Sequence, residues 1–322
     1  MDAQHPSTTR PGFSRRALLR GGLIACASAA LRARIAAASG APAAAEPLIT
    51  KPIPSTGERL PVIGLGTDVF FEGDPATVRA VIDRMHELGG KVIDTAASYG
   101  QSEALIGEAL AASGLRPSIF LATKLTNGGG FFGGIGGEAS FERSLARLKT
   151  RRVDLLQVHN LEGVEELMPL LRHLKQAGRI RYFGVTTSRV PQHEEMAAVL
   201  RKYPLDFIQV DYSIANRDAE RTVFPLALER KVAVLANLPL IHGRLMREVA
   251  TRPLPAWAGE FGAASWGQFL LKYVVSHPAV TCAIPGTTKV AHLVDDQQAG
   301  RGVLPDAALR RRMEDYWSRT FG

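Results

Sequence analysis

The sequence predicts an α/β protein that forms a single (β/α)8 barrel, or TIM barrel, preceded by a small N-terminal β-hairpin. From residue 48 onward, short β-branched runs alternate with helical patterns, which is typical of repeated βαβ units. Eight such runs with seven intervening helical patterns fit a closed barrel better than an open sheet. Single barrels commonly reach about 250 residues, so the length is also compatible with one domain.

The expected elements follow in order along the chain. A Ser-Thr-Gly turn at 55–57 divides residues 49–62 into the two arms of the hairpin. Barrel strands are expected at residues 62–66, 91–94, 119–123, 153–158, 181–186, 207–211, 231–235 and 281–284. The helical patterns between them include 75–88, 102–112, 164–177 and 263–275, and a closing helix is expected at 305–317.

Composition and charge exclude two classes of partner. The 322 residues are 46% hydrophobic and 22% charged, an ordinary globular composition. The net charge of +8 is concentrated at the N-terminus: residues 1–45 hold six arginines and one acid, which leaves 33 basic and 30 acidic residues in the rest. No basic stripe remains there, so no nucleic-acid partner is expected. No apolar run in the body of the chain reaches the roughly 18 residues of a stable membrane span.

Residues 1–45 are predicted to be a leader, and residues 46–322 the barrel. Residues 14–20 (SRRALLR) place paired arginines before a mildly apolar stretch, and the alanines at 43–45 form a small-residue cleavage site. This pattern resembles a twin-arginine export signal. It implies contact with the twin-arginine export machinery and a periplasmic or otherwise exported protein.

Two alternatives to an exported protein without a membrane anchor stay open. Residues 23–26 (LIAC) fit a lipobox, so the protein could be anchored through a lipid on Cys26. The same segment could also be a basic N-terminus on a cytoplasmic protein. The other cysteine, Cys282, lies in an apolar run that predicts a buried strand. Cleavage of the leader would leave it as the single thiol, so no internal disulfide is expected.

Four polar residues stand at the carboxyl ends of consecutive predicted strands, where barrel enzymes keep their active sites. Asp94 and Tyr99 follow the second strand, Lys124 the third and His159 the fourth. Reducing a carbonyl by hydride requires a proton for the developing alkoxide, and the Tyr99 phenol becomes a better acid beside the Lys124 cation. Asp94 can keep that lysine charged. His159 can donate a hydrogen bond to the carbonyl oxygen.

Three segments carry a resemblance to a known family. Residues 92–100 (VIDTAASYG), 121–124 (LATK) and 155–160 (LLQVHN) resemble the catalytic segments of the aldo-keto reductases, in order and at barrel spacing. The resemblance spans residues 48 to 300. It implies a (β/α)8 barrel, NADP(H) as the preferred cofactor with NAD(H) possible, and a small-molecule carbonyl substrate. It also implies that four residues are catalytic: Asp94, Tyr99, Lys124 and His159. The clustered ligands of a metal-dependent hydrolase are missing, so no metal is expected.

The resemblance also implies where the nicotinamide end of the cofactor binds. Thr67 would contact it near the ribose, beside Asp94. Thr186 and Thr187 stand where the family usually has a Ser-Asn pair that holds the carboxamide, with Gln209 as a third partner. Asn237 stands where the family often has an aromatic residue that stacks on the nicotinamide.

The remaining cofactor residues follow the seventh and eighth strands. Leu238 and Leu240 belong to the segment of Asn237, and the loop through Gly243 would cross the pyrophosphate. Residues 284–289 (IPGTTK) resemble the segment that binds the 2′-phosphate, because backbone amides and hydroxyls suit an anion. The residues implied at this end are Gly286, Thr287, Thr288, Lys289, His292 (commonly arginine in the family), and the adenine-facing Asp295 and Asp296 (frequently asparagine at the second position).

The sequence gives fewer indications of which residues would contact the substrate. Five aromatic residues lie in segments that could line the pocket mouth: Phe70, Phe71, Phe131, Phe132 and Trp257. The glycine-rich residues 128–137 predict a mobile pocket loop or a solvated insertion. The loop after His159 is short, which favours an open pocket and broad specificity.

The expected activity is that of an oxidoreductase, which reduces an aldehyde or ketone to an alcohol by hydride transfer from NADPH with Tyr99 as proton donor. The alternative is a non-catalytic nucleotide-sensing or scaffold protein on the same barrel. The complete set of four catalytic residues favours the enzyme, whereas Thr187, Asn237, His292 and Asp296 favour the alternative.

Overall fold

An eight-stranded parallel sheet forms the centre of the unit Pro47–Gly322. The computed structural model describes residues 1–2, 46–128 and 136–322. Each strand pairs in parallel with the strand that follows it in sequence, which confirms the predicted order. The strands are β3 (Leu65–Gly66), β4 (Val92–Asp94), β5 (Phe120–Leu125), β6 (Val153–Val158), β7 (Ile180–Thr186), β8 (Phe207–Asp211), β9 (Ala233–Asn237) and β10 (Val280–Ala283).

Backbone hydrogen bonds between the first and last strands close the sheet. The Gly64 amide donates to the Ala283 carbonyl at 2.8 Å, and the Gly66 amide donates to the Pro285 carbonyl at 2.9 Å. A parallel bridge also joins Gly66 to Gly286. The predicted (β/α)8 barrel is therefore confirmed, and its closure brings residues near 66 and 286 side by side.

The predicted N-terminal hairpin covers one end of the barrel. Strand β1 (Thr50–Pro52) pairs antiparallel with β2 (Arg59–Pro61). Ile53 and Leu60 are fully buried in one cluster with inward-facing residues of the barrel strands, among them Phe120, Phe207 and Cys282. Because β5 begins at Phe120 and β8 at Phe207, the hairpin seals the amino ends of the strands. The carboxyl ends remain available for a site.

The helices form the outer layer and pack on the barrel through a second apolar cluster. The four expected helical patterns and the closing helix all appear, with ends shifted by a few residues. In the described residues the helices are α1 (Pro75–Glu87), α2 (Ser102–Ser113), α3 (Gly137–Arg147), α4 (Val164–Gln176), α5 (His193–Lys202), α6 (Val223–Glu229), α7 (Arg244–Val249), α8 (Trp266–Ser276), α9 (Val290–Gln298) and α10 (Ala307–Phe321).

Local chemistry fixes several helix ends. Helix α1 begins at Pro75, and the Asp74 carboxylate caps it by accepting the Thr77 amide hydrogen at 2.8 Å. Helix α2 ends before Gly114, which adopts a left-handed φ of 66°. Across the part of the chain with described coordinates, every helix is too short or too polar to traverse a lipid bilayer.

Gly66 offers a test of the closure. A Cβ atom at this position would lie 2.6 Å from the Ile284 carbonyl oxygen, which belongs to rigid backbone. We expect Gly66→Ala to lower the free energy of unfolding by about 1–3 kcal/mol, because the two strands would have to separate. Gly259→Ala is the matched control, since a Cβ there meets no atom within 4 Å. Urea denaturation of both variants measures the difference, and equal midpoints would contradict the close approach of the strands.

Candidate active site

A buried ion pair lies at the carboxyl ends of β4 and β5. The Lys124 ammonium donates to Asp94 Oδ2 at 2.5 Å and to the Thr95 carbonyl at 2.9 Å. Both side chains are almost completely buried. The other carboxylate oxygen, Asp94 Oδ1, accepts hydrogen bonds from Gln209 Nε2 at 2.9 Å and Gln157 Nε2 at 3.2 Å. The strand ends thus place three donors around one carboxylate.

The electrostatics of this pair follow from burial and proximity. Burial is the largest single effect and alone would lower the pKa of the Lys124 ammonium, but the Asp94 carboxylate and the Tyr99 phenol together outweigh burial and raise this pKa. Burial raises the pKa of Asp94, against the opposing effects of Lys124 and the two amide donors. Because every group that contacts the carboxylate oxygens is a donor, the hydrogen bonds favour the ionised form. Lys124 therefore carries its charge within the barrel.

Tyr99 lies directly beside this charge. The Lys124 Nζ atom is 4.9 Å from the centroid of the Tyr99 ring. Burial raises the pKa of the phenol, and the Lys124 ammonium acts in the opposite direction. The lysine therefore has the acidifying effect expected from sequence, but burial is the larger of the two. At neutral pH the phenol keeps its proton.

His159 follows β6 and approaches Tyr99 edge-on, with the ring centroids 5.8 Å apart. Burial, assisted by the Lys124 charge, lowers the pKa of His159 to about 3. The imidazole is thus neutral at physiological pH and carries one N–H donor. Its Nδ1 atom lies 3.3 Å from Ser98 Oγ. The two residues after it, Asn160 and Leu161, have left-handed φ angles of 54° and 61°, so the backbone turns sharply at this position.

A cavity of about 910 Å³ opens at this end of the barrel. Asp94, Tyr99 and His159 form part of its wall, and Lys124 lies behind them. Every residue that the sequence predicts to contact the cofactor also lines this cavity. These residues are Thr67, Asp94, Thr186, Thr187, Gln209, Asn237, Leu238, Leu240, Gly243, Gly286, Thr287, Thr288, Lys289, His292, Asp295 and Asp296.

Several of these residues use their polar atoms within the protein. The Thr67 hydroxyl donates to the Asp94 carbonyl at 2.9 Å and accepts from Ser102 Oγ at 2.9 Å. Thr186 Oγ1 accepts the Asn160 amide hydrogen at 3.1 Å. In this structure, Thr67 holds the backbone of Asp94, and Thr186 holds the turn after His159.

The residues expected to bind the carboxamide of the nicotinamide are also joined by hydrogen bonds within the protein. The Thr187 hydroxyl donates to Gln192 Oε1 at 2.6 Å. Asn237 Nδ2 donates to the Thr187 carbonyl at 2.9 Å and to Gln209 Oε1 at 3.3 Å. Gln209 thereby connects Asn237 to Asp94. Asn237 Oδ1 is buried and has no hydrogen-bond partner among the described residues.

Other residues of the cavity wall were not identified from sequence. They are Gly66, Asp68, Val69, Asn160, Ser188, Arg189, Pro239, His242, Met246, Arg247, Gly267, Ile284 and Pro285. Seven of these thirteen lie one or two positions after an identified residue, so extending each predicted position by two residues would have found Asp68, Val69, Asn160, Ser188, Arg189, Pro239 and His242. His242 Nδ1 lies 3.5 Å from Asp68 Oδ2, which joins the loops after β9 and β3.

The loop after β9 has an unusual backbone. Leu238, Ile241 and His242 have φ angles of 50°, 47° and 48°, and Gly243 has a φ of 73°. Left-handed conformations are unfavourable for leucine and isoleucine, so contacts with the surrounding structure must stabilise this backbone conformation. The loop forms one wall of the cavity, at the position expected to cross the pyrophosphate.

The far end of the cavity is open and partly basic. Gly286, Thr288, Lys289 and His292 are exposed there, at and just before the N-terminus of α9. The Thr287 hydroxyl accepts the Lys289 amide hydrogen at 3.0 Å, which shapes the turn into the helix. A helix N-terminus with adjacent cations is a favourable environment for an anion.

Two carboxyl groups lie beside this basic end. Asp295 accepts hydrogen bonds from Ser265 Oγ at 2.6 Å and Gln268 Nε2 at 2.7 Å, both at the start of α8. Asp296 is buried, and its side chain makes no hydrogen bond with the described residues. Burial, together with the negative charge of Asp295, raises the pKa of Asp296 to about 8.

Three of the five aromatic candidates for the pocket mouth, Phe70, Phe71 and Trp257, do not lie on the cavity wall. Phe70 is fully buried in the outer core, and Trp257 packs against Phe269 and Tyr316 with ring centroids 5.5 Å and 5.9 Å apart. Phe71 is 52% exposed, outside the cavity. Phe131 and Phe132 lie outside the described residues. Within the described ranges, no three His, Cys, Asp or Glu side chains form a group able to hold a metal ion.

Comparisons with known proteins indicate a family for this chain. The sequence model of the Aldo/keto reductase family matches residues 62–312. The methylglyoxal reductase YeaE of Escherichia coli is 31% identical over 246 residues, which cover 73% of this chain and 83% of that protein. The aldo-keto reductase YhdN of Bacillus subtilis is 34% identical over 60% of this chain. The aligned region spans only 62% of the length of YhdN.

Solved structures of similar fold include cofactor complexes. An aldo-keto reductase from Bacillus halodurans in its holo form has a TM-score of 0.67 and 25% identity, over 84% of this chain and 96% of that one. An aldo/keto reductase from Klebsiella pneumoniae in complex with NADP and acetate has a TM-score of 0.62 and 27% identity, over 81% of this chain and 93% of that one.

The buried Asp296 predicts a pH dependence of stability. Because its pKa is raised from 3.8 to about 8 on folding, the native state binds more protons between these values, and stability falls as pH rises from about 4 to about 8. We expect Asp296→Asn to flatten this slope and to raise the free energy of unfolding at pH 8.5 by about 1–3 kcal/mol. Urea denaturation from pH 4.5 to 8.5 measures both curves. Identical slopes in wild type and variant would contradict the raised pKa.

Proposed function

Because the chain belongs to the aldo/keto reductase family, we propose that it reduces an aldehyde or ketone to the alcohol, with hydride from NADPH and the proton from Tyr99. The protein is an NAD(P)H-dependent oxidoreductase that uses NADP(H). The observation that best supports the finer assignment is the Lys124–Asp94 ion pair, which is buried beside Tyr99 at the base of the cavity.

Tyr99 is the proposed proton donor. Its phenol remains protonated at neutral pH, so a proton is available when a neighbouring carbonyl oxygen gains negative charge. The buried Lys124 ammonium stabilises the phenolate that remains after transfer, and this stabilisation is strong because little water separates the two groups. Asp94 holds the ammonium in place and keeps it charged.

His159 is the proposed group that orients the carbonyl. A neutral imidazole with one N–H donor can hydrogen-bond the carbonyl oxygen without competing for the transferred proton. The short distance between the His159 and Tyr99 rings allows both donors to reach one oxygen atom. The backbone turn at Asn160 holds the histidine at the strand end.

The fit of NADP(H) follows from the shape and chemistry of the cavity. When bound, the cofactor supplies the hydride. We propose that the nicotinamide end lies near Tyr99, bordered by Thr67, Gln209 and Asn237. The 2′-phosphate would lie at the exposed end, where Lys289 provides positive charge and His292 an imidazole N–H, with the adenine near Asp295 and Asp296. Above about pH 8, Asp296 is anionic and would repel the 2′-phosphate. NAD(H) lacks this phosphate, so it is the second candidate cofactor.

The substrate class is proposed to be small aldehydes and ketones. The relatives of this chain include proteins that bear reductase names, among them a methylglyoxal reductase of Escherichia coli. No large aromatic side chain of the described residues lines the cavity apart from Tyr99, so the wall imposes little shape selection on small carbonyl compounds. The alternative function, a non-catalytic nucleotide sensor, requires that NADPH binds without turnover.

Tyr99→Phe tests the catalytic proposal. We expect kcat for a small activated aldehyde to fall by about 10²–10⁴-fold, because the proton donor is lost, while NADPH binding stays unchanged. The rate of NADPH oxidation and a fluorescence titration with NADPH measure the two quantities. Tyr182→Phe is the matched control: it removes a phenol oxygen that bonds Thr56 and Glu58 near the hairpin, and it should keep the wild-type rate. Wild-type protein that binds NADPH but reduces no carbonyl compound would favour the sensor.

Residues 1–45 are proposed to direct export through the twin-arginine route, with cleavage near residue 45. Apart from the first two, these residues lie outside the described part of the chain, so the proposal is supported by their sequence alone. The alternatives remain a lipid anchor on Cys26 and retention in the cytoplasm.

A charge-conserving change tests the leader. We expect Arg15→Lys combined with Arg16→Lys to abolish the shortened periplasmic form and to leave full-length protein in the cytoplasm, because the arginine pair itself is the recognised feature. Cell fractionation with immunoblotting measures the distribution. Arg32→Lys with Arg34→Lys is the control and should be exported normally. Membrane retention that disappears in Cys26→Ala would instead support the lipid anchor.

A further inference from the structure

We propose that the protein has a second ligand site, at the amino ends of its strands, which binds a small phosphate-bearing anion. The site is a cavity of about 340 Å³, at the lower end of the range of small-ligand pockets, about 300–1,000 Å³. The proposal is independent of the proposed function, because it concerns neither the cofactor nor the catalytic residues. The wall of this cavity contains six charged residues: Glu58, Lys91, Arg116, Arg152, Asp154 and Arg181.

The position of this second cavity separates it from the candidate active site. Lys91 and Arg181 lie at the amino ends of β4 and β7, whereas the catalytic candidates lie at the carboxyl ends of the strands. Both directly precede a residue that faces the barrel interior, Val92 and Tyr182 respectively. Successive side chains of an extended chain point to opposite faces, so Lys91 and Arg181 belong to the outer surface. The cavity therefore lies outside the barrel, next to the hairpin.

The two carboxylates of the wall are already paired with two of its arginines. Asp154 accepts hydrogen bonds from Arg116 at 3.2 Å and from Arg181 at 3.0 Å. Arg181 also donates to both carboxylate oxygens of Glu58. The negative charges of the wall are thus neutralised within the protein, and two of the four positive charges are used to do so.

The other two cations of the wall are uncompensated. Among the described residues, neither the Lys91 ammonium nor the Arg152 guanidinium forms an ion pair or a hydrogen bond. With four cations and two acids, the wall therefore carries an excess of two positive charges. A phosphate group carries about −1.5 to −2 charges at pH 7, which matches this excess.

The backbone around the cavity is fixed by Arg116. Its guanidinium donates to the Ile119 carbonyl at 2.9 Å and to the Arg152 carbonyl at 2.8 Å, and the Thr150 hydroxyl donates to the same Arg152 carbonyl at 3.0 Å. These bonds hold the segments before β5 and β6 together. Binding of an anion then has to order only the side chains of Lys91 and Arg152, which limits the loss of conformational entropy.

The mixed charge of the wall favours a small anion over an extended one. A polyanion requires a continuous basic surface, whereas here the cations stand beside Glu58 and Asp154 within a concavity. A single phosphate group presents several acceptor oxygens, and arginine and lysine are the side chains that bind such groups best. It can therefore accept hydrogen bonds from Lys91 and Arg152 together without disturbing the paired carboxylates.

Phosphate binding to variants that lack one charge tests the proposal. Isothermal titration calorimetry uses the full chain with NADP⁺ bound, so that the cofactor cavity is filled, and inorganic phosphate is the probe at constant ionic strength. We expect Lys91→Gln and Arg152→Gln each to weaken phosphate binding about tenfold, the size of one hydrogen bond to a charged group. Arg151→Gln is the matched control: it removes the same charge from the adjacent residue, which lies outside the cavity wall, and should bind phosphate as wild type does.

Two variants of the wall keep the test decisive if one of them folds poorly. Equal weakening in Arg151→Gln and Arg152→Gln would show that phosphate responds only to the general charge of this surface, and would overturn the proposal. Unchanged affinity in both wall variants, or wild-type protein that binds no phosphate, would overturn it as well. The proposed function is measured separately, since NADPH oxidation by both wall variants should proceed at the wild-type rate.

Discussion

The Lys124–Asp94 ion pair is the interaction on which the rest of the site depends. Two opposite charges are withdrawn from water at the carboxyl end of the barrel, and their attraction compensates for desolvation only if the remaining polar atoms are satisfied. The neighbouring side chains meet this requirement: Gln157 and Gln209 donate to the carboxylate, and the Thr95 carbonyl accepts from the ammonium. The identities of residues on four strands are thus constrained by one buried charge.

Much of the fold, and the clustering of Asp94, Tyr99, Lys124 and His159, could be predicted from sequence because the signals are local. Strands were recognised from apolar runs, and residues such as Asp94, Lys124 and His159 from their position at strand ends. In a parallel barrel all strand ends meet at one rim, so position in sequence translates directly into position in space. For the same reason the predicted cofactor residues all reached one cavity.

Side-chain partners could not be predicted because they depend on contacts between distant strands. Gln209 lines the cavity as expected, but its hydrogen bond to Asp94, which is 115 residues away in sequence, could not be predicted. Likewise, an aromatic residue near a strand end can turn inward or outward. Phe70 turns into the apolar cluster between the helices and the barrel, and Trp257 turns toward α8 and α10. Periodicity reports which face of an element is buried, but it does not report which atoms meet there.

The closure of the barrel has a consequence for biosynthesis. One wall of the cavity comes from residues near Gly66 and the adjoining wall from residues 284–296, so the two are among the first and last parts of the barrel to be synthesised. No nascent chain that ends before Asp296 possesses both walls. Non-local pairing of this kind forms slowly. Binding of a ligand that needs both walls therefore requires synthesis of the chain at least through Asp296, which makes it a late event in biosynthesis.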